Sequence, residues 1–451
     1  MNRYFAKTQI LLLICVLFGC RQNSMDETDG IAVIDVINHL GKYQEIPASE
    51  IVAELEYIPL ETNNNCLIGA VRNILVTPSY IFTESYVGGD ASGIVVSGTT
   101  RLYAFSRDGR FICEIGRVGQ GPGEYQNMSG FFIDEKKQLV YIETYRTLLE
   151  YSWNGVFCHS INKPQNMNGR FIGNVCVLRD NLFIGFLHSN TSLAETEINN
   201  TNNNMYSFHL FNESSQVIKS FENPEKIDRR NNYRSGTLVN RSTHPFWISE
   251  RIYVKEYPND TLYCLNEQNE LIPQFVFNLG KYTFSIEKRR TNDPLTDVLI
   301  IPNPLYPMVG TPNYIFFSID VSNAENIPQP KGILNTAISQ SGQIIEYELK
   351  KTLGVYDIVN KKTRLLDTDP ISRMLGLMND LDGGLSFWPR YYTSDNELID
   401  VWEAYDMKEI LTEEYFAGHT IRNPQSHQNL KNLLKTLKED DNPVIVIGKL
   451  K

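Results

Sequence analysis

The sequence predicts an all-β fold, a six-bladed β-propeller closed by strands from both ends of the chain, and three observations lead there. The first is a returning phrase: an aromatic-rich strand, a polar turn and a second apolar strand. It occurs at 101–115, 147–157, 205–218, 261–272 and 352–366. Copies spaced roughly 40–60 residues apart signal a series of small sheets, none of which buries both faces alone. The second is aromatic content, with 24 Tyr and 22 Phe, residues that suit half-buried strands. The third is a strand-like segment near each end, alternating at about 51–60 and continuously apolar at the start of 444–450. If these two segments share one sheet, the ring closes without an exposed edge.

The chain opens with a targeting pattern. Arg3 and Lys7 precede an apolar run from Ile10 to Phe18, too short to cross a bilayer as a helix, which takes about 20 residues. The run ends in Leu17-Phe18-Gly19-Cys20, similar to a bacterial lipobox, where a small residue precedes the cysteine that receives lipid. Residues 1–19 are therefore read as a signal peptide, Cys20 as the lipid attachment point, and the polar residues 20–30 as a tether. Residues 31–451 form the propeller. Loss of Arg3 and Lys7 with the leader takes the net charge from −11 to −13. No block of Lys and Arg stands out, which argues against a nucleic-acid partner.

Beyond Cys15 and Cys20 lie five cysteines: Cys66, Cys113, Cys158, Cys176 and Cys264. An odd, unclustered set makes a poor disulfide framework, although one bridge is open to it. Cys113 shares a strand face with Phe111 and Ile115, which predicts a buried small hydrophobe. Zinc-type spacings (C-x-x-C, H-x-H, H-E-x-x-H) do not occur. No residue pattern calls for a cofactor.

The blades follow in order. Blade one spans 70–116, with Asp108-Gly109 at its last hairpin, since glycine accepts φ > 0. Blade two spans about 129–161, with Asn154-Gly155 in the equivalent turn. Blades three, four and five cover about 169–221, 237–280 and 305–367, the last with an insertion near 324–331. Blade six starts at Gly383, with strands at 385–392 and 397–405, and takes its remaining strands from 444–450 and 51–60. Leu430, Leu433, Leu434 and Leu437 recur at i, i+3, i+4, i+7, which predicts a short C-terminal helix. Asp441-Asn442-Pro443 stops it.

Several clusters are candidates for chemistry. Gly116–Tyr125 is the densest glycine run, but G-x-x-x-x-G-K-[ST] is absent and a strand follows, so it reads as a connection between blades. Within it Arg117, Glu124 and Tyr125 are positioned to meet a ligand, since propeller loops carry binding residues. Asp380-Leu-Asp-Gly-Gly384 lacks the spacing of a calcium loop and reads as a turn. Trp388, Arg390 and Tyr391 combine aromatic faces with a cation, a pattern that suits a sugar ring. Glu84, Glu143, Asn174 and Asp320 lie near inner strands. They would be the donors if the channel held a metal. No G-x-S-x-G elbow is present.

Tyr57–Thr62, Gly119-Gln-Gly-Pro-Gly-Glu-Tyr125, Asp260-Thr-Leu-Tyr263 and Asn442–Lys451 together resemble the six-bladed β-propeller lipoproteins of Bacteroidetes, which are similar to NHL-type propellers. The resemblance spans nearly the whole mature chain. It implies the propeller fold and a place in the cell envelope, as an outer-membrane lipoprotein. It implies no activity, because fold does not fix function. The expected function is a binding or interaction module for carbohydrate or another envelope protein. The alternatives are a metal-dependent hydrolase or lyase, lactonase-like, at the central channel, and a structural subunit of an envelope complex.

Overall fold

A computed structural model describes residues 30–87, 99–165, 170–179, 181–189, 206–222, 245–255, 259–284, 297–301, 308–321, 324, 327, 330, 334–338, 344–348, 351–369, 372 and 374–451. The signal, Cys20 and nearly all of the tether lie outside them.

Six sheets of at least four strands are arranged as six blades. In each, one face packs on the blade before and the other on the blade after, because successive strand residues point to opposite sides. Ile81 and Phe82 show this: Ile81 joins the core shared with blade six, Phe82 the core shared with blade two. Six hydrophobic clusters fill the six blade-to-blade seams, so the ring is continuous. The innermost strands touch in turn from blade four through five, six, one and two to three.

Blade six closes the ring as the sequence predicts. Its strands run Tyr391–Tyr392, Glu397–Trp402, Val444–Leu450 and, outermost, Val52–Pro59. Residues 385–390, expected to be strand, are irregular, apart from one bridge between Leu377 and Phe387. Blade four carries a strand that the sequence reading left in no blade. Ala32–Asp35 adds in parallel to Leu271–Asn278, making a five-stranded sheet. Ile34 and Val36 are fully buried against blades four and five. From there the chain runs along blade five, bridging Gln44 to Leu366, before entering blade six.

Three helices follow the second strand of blade six: α1 (Ala404–Ile410), α2 (Glu413–Ala417) and α3 (Pro424–Thr436). Only α3 was expected. The segment 397–405 reads as one strand in sequence but turns helical at Ala404. Asn423 caps α3 through its side chain, with Pro424 at the first turn. Leu430 is fully buried, and Leu433 and Leu434 pack beside it. The helices are pinned by the turn that resembles a calcium loop. Asp382 accepts hydrogen bonds from Tyr57 (2.7 Å), Asn379 (2.8 Å) and Ser426 (3.1 Å). Asp380 accepts from Ser49 and Arg422. These carboxylates are structural anchors with their lone pairs already engaged.

Antiparallel strands give the ring two unlike faces. First-to-second and third-to-fourth strand turns emerge at one end and are short, as at Ser106–Arg110 and Ser152–Val156. The other end bears the long connections, including 60–69, 116–129, 366–390 and the helical segment. The strands flanking residues 88–98, 190–205 and 223–244 also end there. These are called below the narrow-turn face and the loop face.

Candidate functional site at the channel rim

Three buried carboxylates mark the loop-face rim in adjacent blades. Glu84, Glu143 and Asp400 lie on the second strands of blades one, two and six. Two of them share a local pattern, an aromatic two residues earlier: Phe82-Thr83-Glu84 and Tyr141-Ile142-Glu143. The aromatic fills the seam, and two residues on, the same strand face reaches the rim.

Each carboxylate holds a cation. Arg72, on the innermost strand of blade one, places Nη1 3.3 Å from Glu84 Oε1. Arg390, just before the innermost strand of blade six, places Nε 3.2 Å from Asp400 Oδ1 and donates from Nη2 to the Val401 carbonyl. In both pairs the acid is buried while the arginine side chain is about half exposed, at 53% and 44%. A guanidinium gripped from behind in this way is fixed in direction and still presents N–H donors to solvent. The third pair is sealed. Lys163 Nζ lies 2.9 Å from Glu143 Oε1 and 2.5 Å from the Ile172 carbonyl, and Val175 donates to Glu143 Oε2.

Burial sets the local electrostatics. It raises the Glu84 carboxyl above its ordinary range, against the pull of Arg72 and with a further push from Glu143. It likewise raises Asp400, opposed by Arg390 and by hydrogen bonds to the carboxylate. Trp388 N–H and the Trp402 indole both donate to Asp400 Oδ2, at 2.9 and 3.2 Å. Lys351, buried at the start of the third strand of blade five, is pushed down to about 8 by burial and then by the charge of Arg390.

The residues expected from sequence fall in three places. Arg390 stands on the rim, with Tyr391 beside it, half-buried against the seam of blades six and one. Trp388 is buried between blades five and six, edge-on to Phe316 at 5.5 Å, and offers no open ring face. Arg117, Glu124 and Tyr125 belong to the blade one–two connection. Arg117 and Glu124 are both exposed there, and the Glu124 carboxylate folds back on its own loop to accept from Gly121 N–H at 2.8 Å. Tyr125 is buried in the seam. Residues 121–124 border an open cavity of about 550 Å³ with Leu149 and the 157–160 strand edge. Of the channel candidates, Glu84 and Glu143 are rim residues, and Asn174 takes positive φ. Asp320 ends the second strand of blade five. Among the described residues, no three His, Cys, Asp or Glu side chains group at metal-binding distance. The five described cysteines are all free thiols.

Arg72 was missed from the sequence. A lone Arg inside Ala70–Val76 carries no motif, and its significance appears only when Glu84 is paired across the sheet.

No curated protein matches the sequence. Among solved structures, a Bacteroides fragilis protein described as a candidate exported protein shares the fold. It has a TM-score of 0.60 and 17% identity, over 94% of this chain and 100% of that one. A duf4221-family member from Bacteroides vulgatus overlaps less, with a TM-score of 0.41 and 10% identity over 72% of this chain and 99% of that one. Virginiamycin B lyase from Staphylococcus aureus has a TM-score of 0.35 and 10% identity over 70% and 89%. One family, Domain of unknown function (DUF4934), matches residues 31–449, nearly the whole propeller, and the chain belongs to that family.

Proposed function

We propose that this chain is a lipid-anchored cell-envelope β-propeller that binds carbohydrate or an envelope protein on its loop face, without a covalent step. The observation that carries this reading is the pair Arg72 and Arg390 on adjacent blades. Each is held by a buried carboxylate and half open to solvent at the rim. Fixed, charge-assisted donors suit ligand hydroxyl or carboxylate oxygens. Rigid blades hold them at low ordering cost on binding. The lipobox-like Leu17–Cys20 supports the lipid anchor. The test is a thermal-shift screen of residues 21–451 against glycan fragments, followed by calorimetry. A ligand at 100 times its Kd stabilises by about 2.7 kcal/mol. If no glycan stabilises and no envelope protein is captured from membrane extracts by the wild type but not by Arg72→Gln/Arg390→Gln, the reading fails.

A further inference from the structure

The chain enters the propeller at a defined place and in a defined direction. Ala32–Asp35 lies parallel to Leu271–Asn278, the fourth strand of blade four, with Ala32 beside Phe275. That strand runs from the narrow-turn face to the loop face. Residue 30 therefore enters from the narrow-turn side, at the outer edge of blade four. It lies ten positions beyond Cys20. A flexible segment of that length spans about 17 Å on average, and about 35 Å when fully extended. In this register residue 30 is level with Pro273, so the Asn278 end of the strand lies roughly 17 Å away along the edge. Turning the loop face to the bilayer would make the tether double back along that edge and use its whole average span before it reached the loops.

The same edge carries exposed apolar side chains. Ile31 and Val33 are each 50% exposed. Val359, at the narrow-turn hairpin of blade five, is 60% exposed and is followed by exposed Lys361 and Lys362. In the strand that follows this hairpin, Thr363 Oγ1 accepts a hydrogen bond from Asp35 N–H at 2.9 Å, which brings the two edges together. Apolar side chains flanked by lysines suit a lipid interface.

We propose that the blade four–five edge of the narrow-turn face is the membrane contact, so that the loop face and its two rim arginines point away from the bilayer. This rests on lipid attachment at Cys20. The occupant is the lipid surface that holds the tether. A ligand then reaches the rim from the solvent side, with the body of the propeller between it and the membrane.

The test uses full-length lipidated protein in vesicles of phosphatidylethanolamine and phosphatidylglycerol, with a photoreactive benzoylphenylalanine replacing either Val359 or Val118. Val118 is 44% exposed on the loop face, so both sites tolerate the label. Lipid adduct is expected at Val359 and not at Val118. Adduct at Val118 alone, at both sites, or at neither overturns the orientation. Intact mass of the mature protein, and release of Cys20→Ala from vesicles, check the anchor separately. A chain without lipid at Cys20 removes the anchor reading and the orientation with it, whereas a lipidated chain with adduct at Val118 removes only the orientation.

Discussion

Lys163 and Glu143 form an ion pair that is closed to solvent: Nζ to Oε1 is 2.9 Å, with 2% and 3% of the two side chains exposed. Burial lowers the lysine, and Glu143 opposes that shift. Backbone groups of blade three complete the coordination, with the Ile172 carbonyl accepting from Lys163 and Val175 N–H donating to Glu143. The pair thus joins blade two to blade three. Removing one partner strands a buried charge, so Lys163→Met is expected to cost about 3–5 kcal/mol. Lys163→Met with Glu143→Leu is expected to cost less than the single change. Urea unfolding of the three proteins checks this.

Lys351 makes stability depend on pH. Its folded pKa, about 8, lies below the ordinary value of 10.5. Between these values the unfolded chain binds the extra proton, so stability rises as pH climbs from about 8 to 10.5. Below about 8 the penalty is present in full. Lys351→Met is expected to flatten that rise and to raise stability at pH 7. Denaturation midpoints of both proteins from pH 7 to 10.5 decide it.

Ile34 and Val33 are neighbours with opposite surroundings, one fully buried and one 50% exposed. Ile34→Ala is expected to destabilise by about 2–4 kcal/mol, and Val33→Thr to stay within about 0.5 kcal/mol. Equal losses would contradict the placement of the fifth strand on blade four.

Trp388 is predicted to act through packing. Trp388→Ala is expected to cost about 3–5 kcal/mol of stability. At a temperature where the variant remains folded, its affinity for any glycan found in the screen is expected to be unchanged. Calorimetry on wild type and variant reads this directly.

Much of the ring was legible because its signals are local. Asp108-Gly109 and Asn154-Gly155 sit at hairpin turns with glycine at positive φ, and the Leu430–Leu437 stripe marks a helix. Closure was legible because Val52–Pro59 alternates and Val444–Leu450 opens on a β-branched apolar run, each enough to stand alone as a strand. The fifth strand was not. Ala32–Asp35 is short, and its partner strand lies more than 200 residues away. Helices α1 and α2 were missed because they are only seven and five residues long, too brief for a periodic pattern. The site was half legible. Arg390 was singled out for its aromatic neighbours, yet what orients it is Asp400, ten residues later, across a turn. Arg72 was invisible until the sheet paired it with Glu84.

The most direct test of a loop-face binding site compares ligand binding by two variants of residues 21–451. One is Arg72→Gln/Arg390→Gln, at the rim. The other is Lys361→Gln/Lys362→Gln, on the opposite face. Each is applied to the same immobilised glycan set and envelope-protein extract as the wild type. A loop-face site predicts that the wild type and the narrow-turn variant retain the same ligand and that the rim variant loses it. Retention by the rim variant, or loss by the narrow-turn variant alone, would contradict a binding site on the loop face.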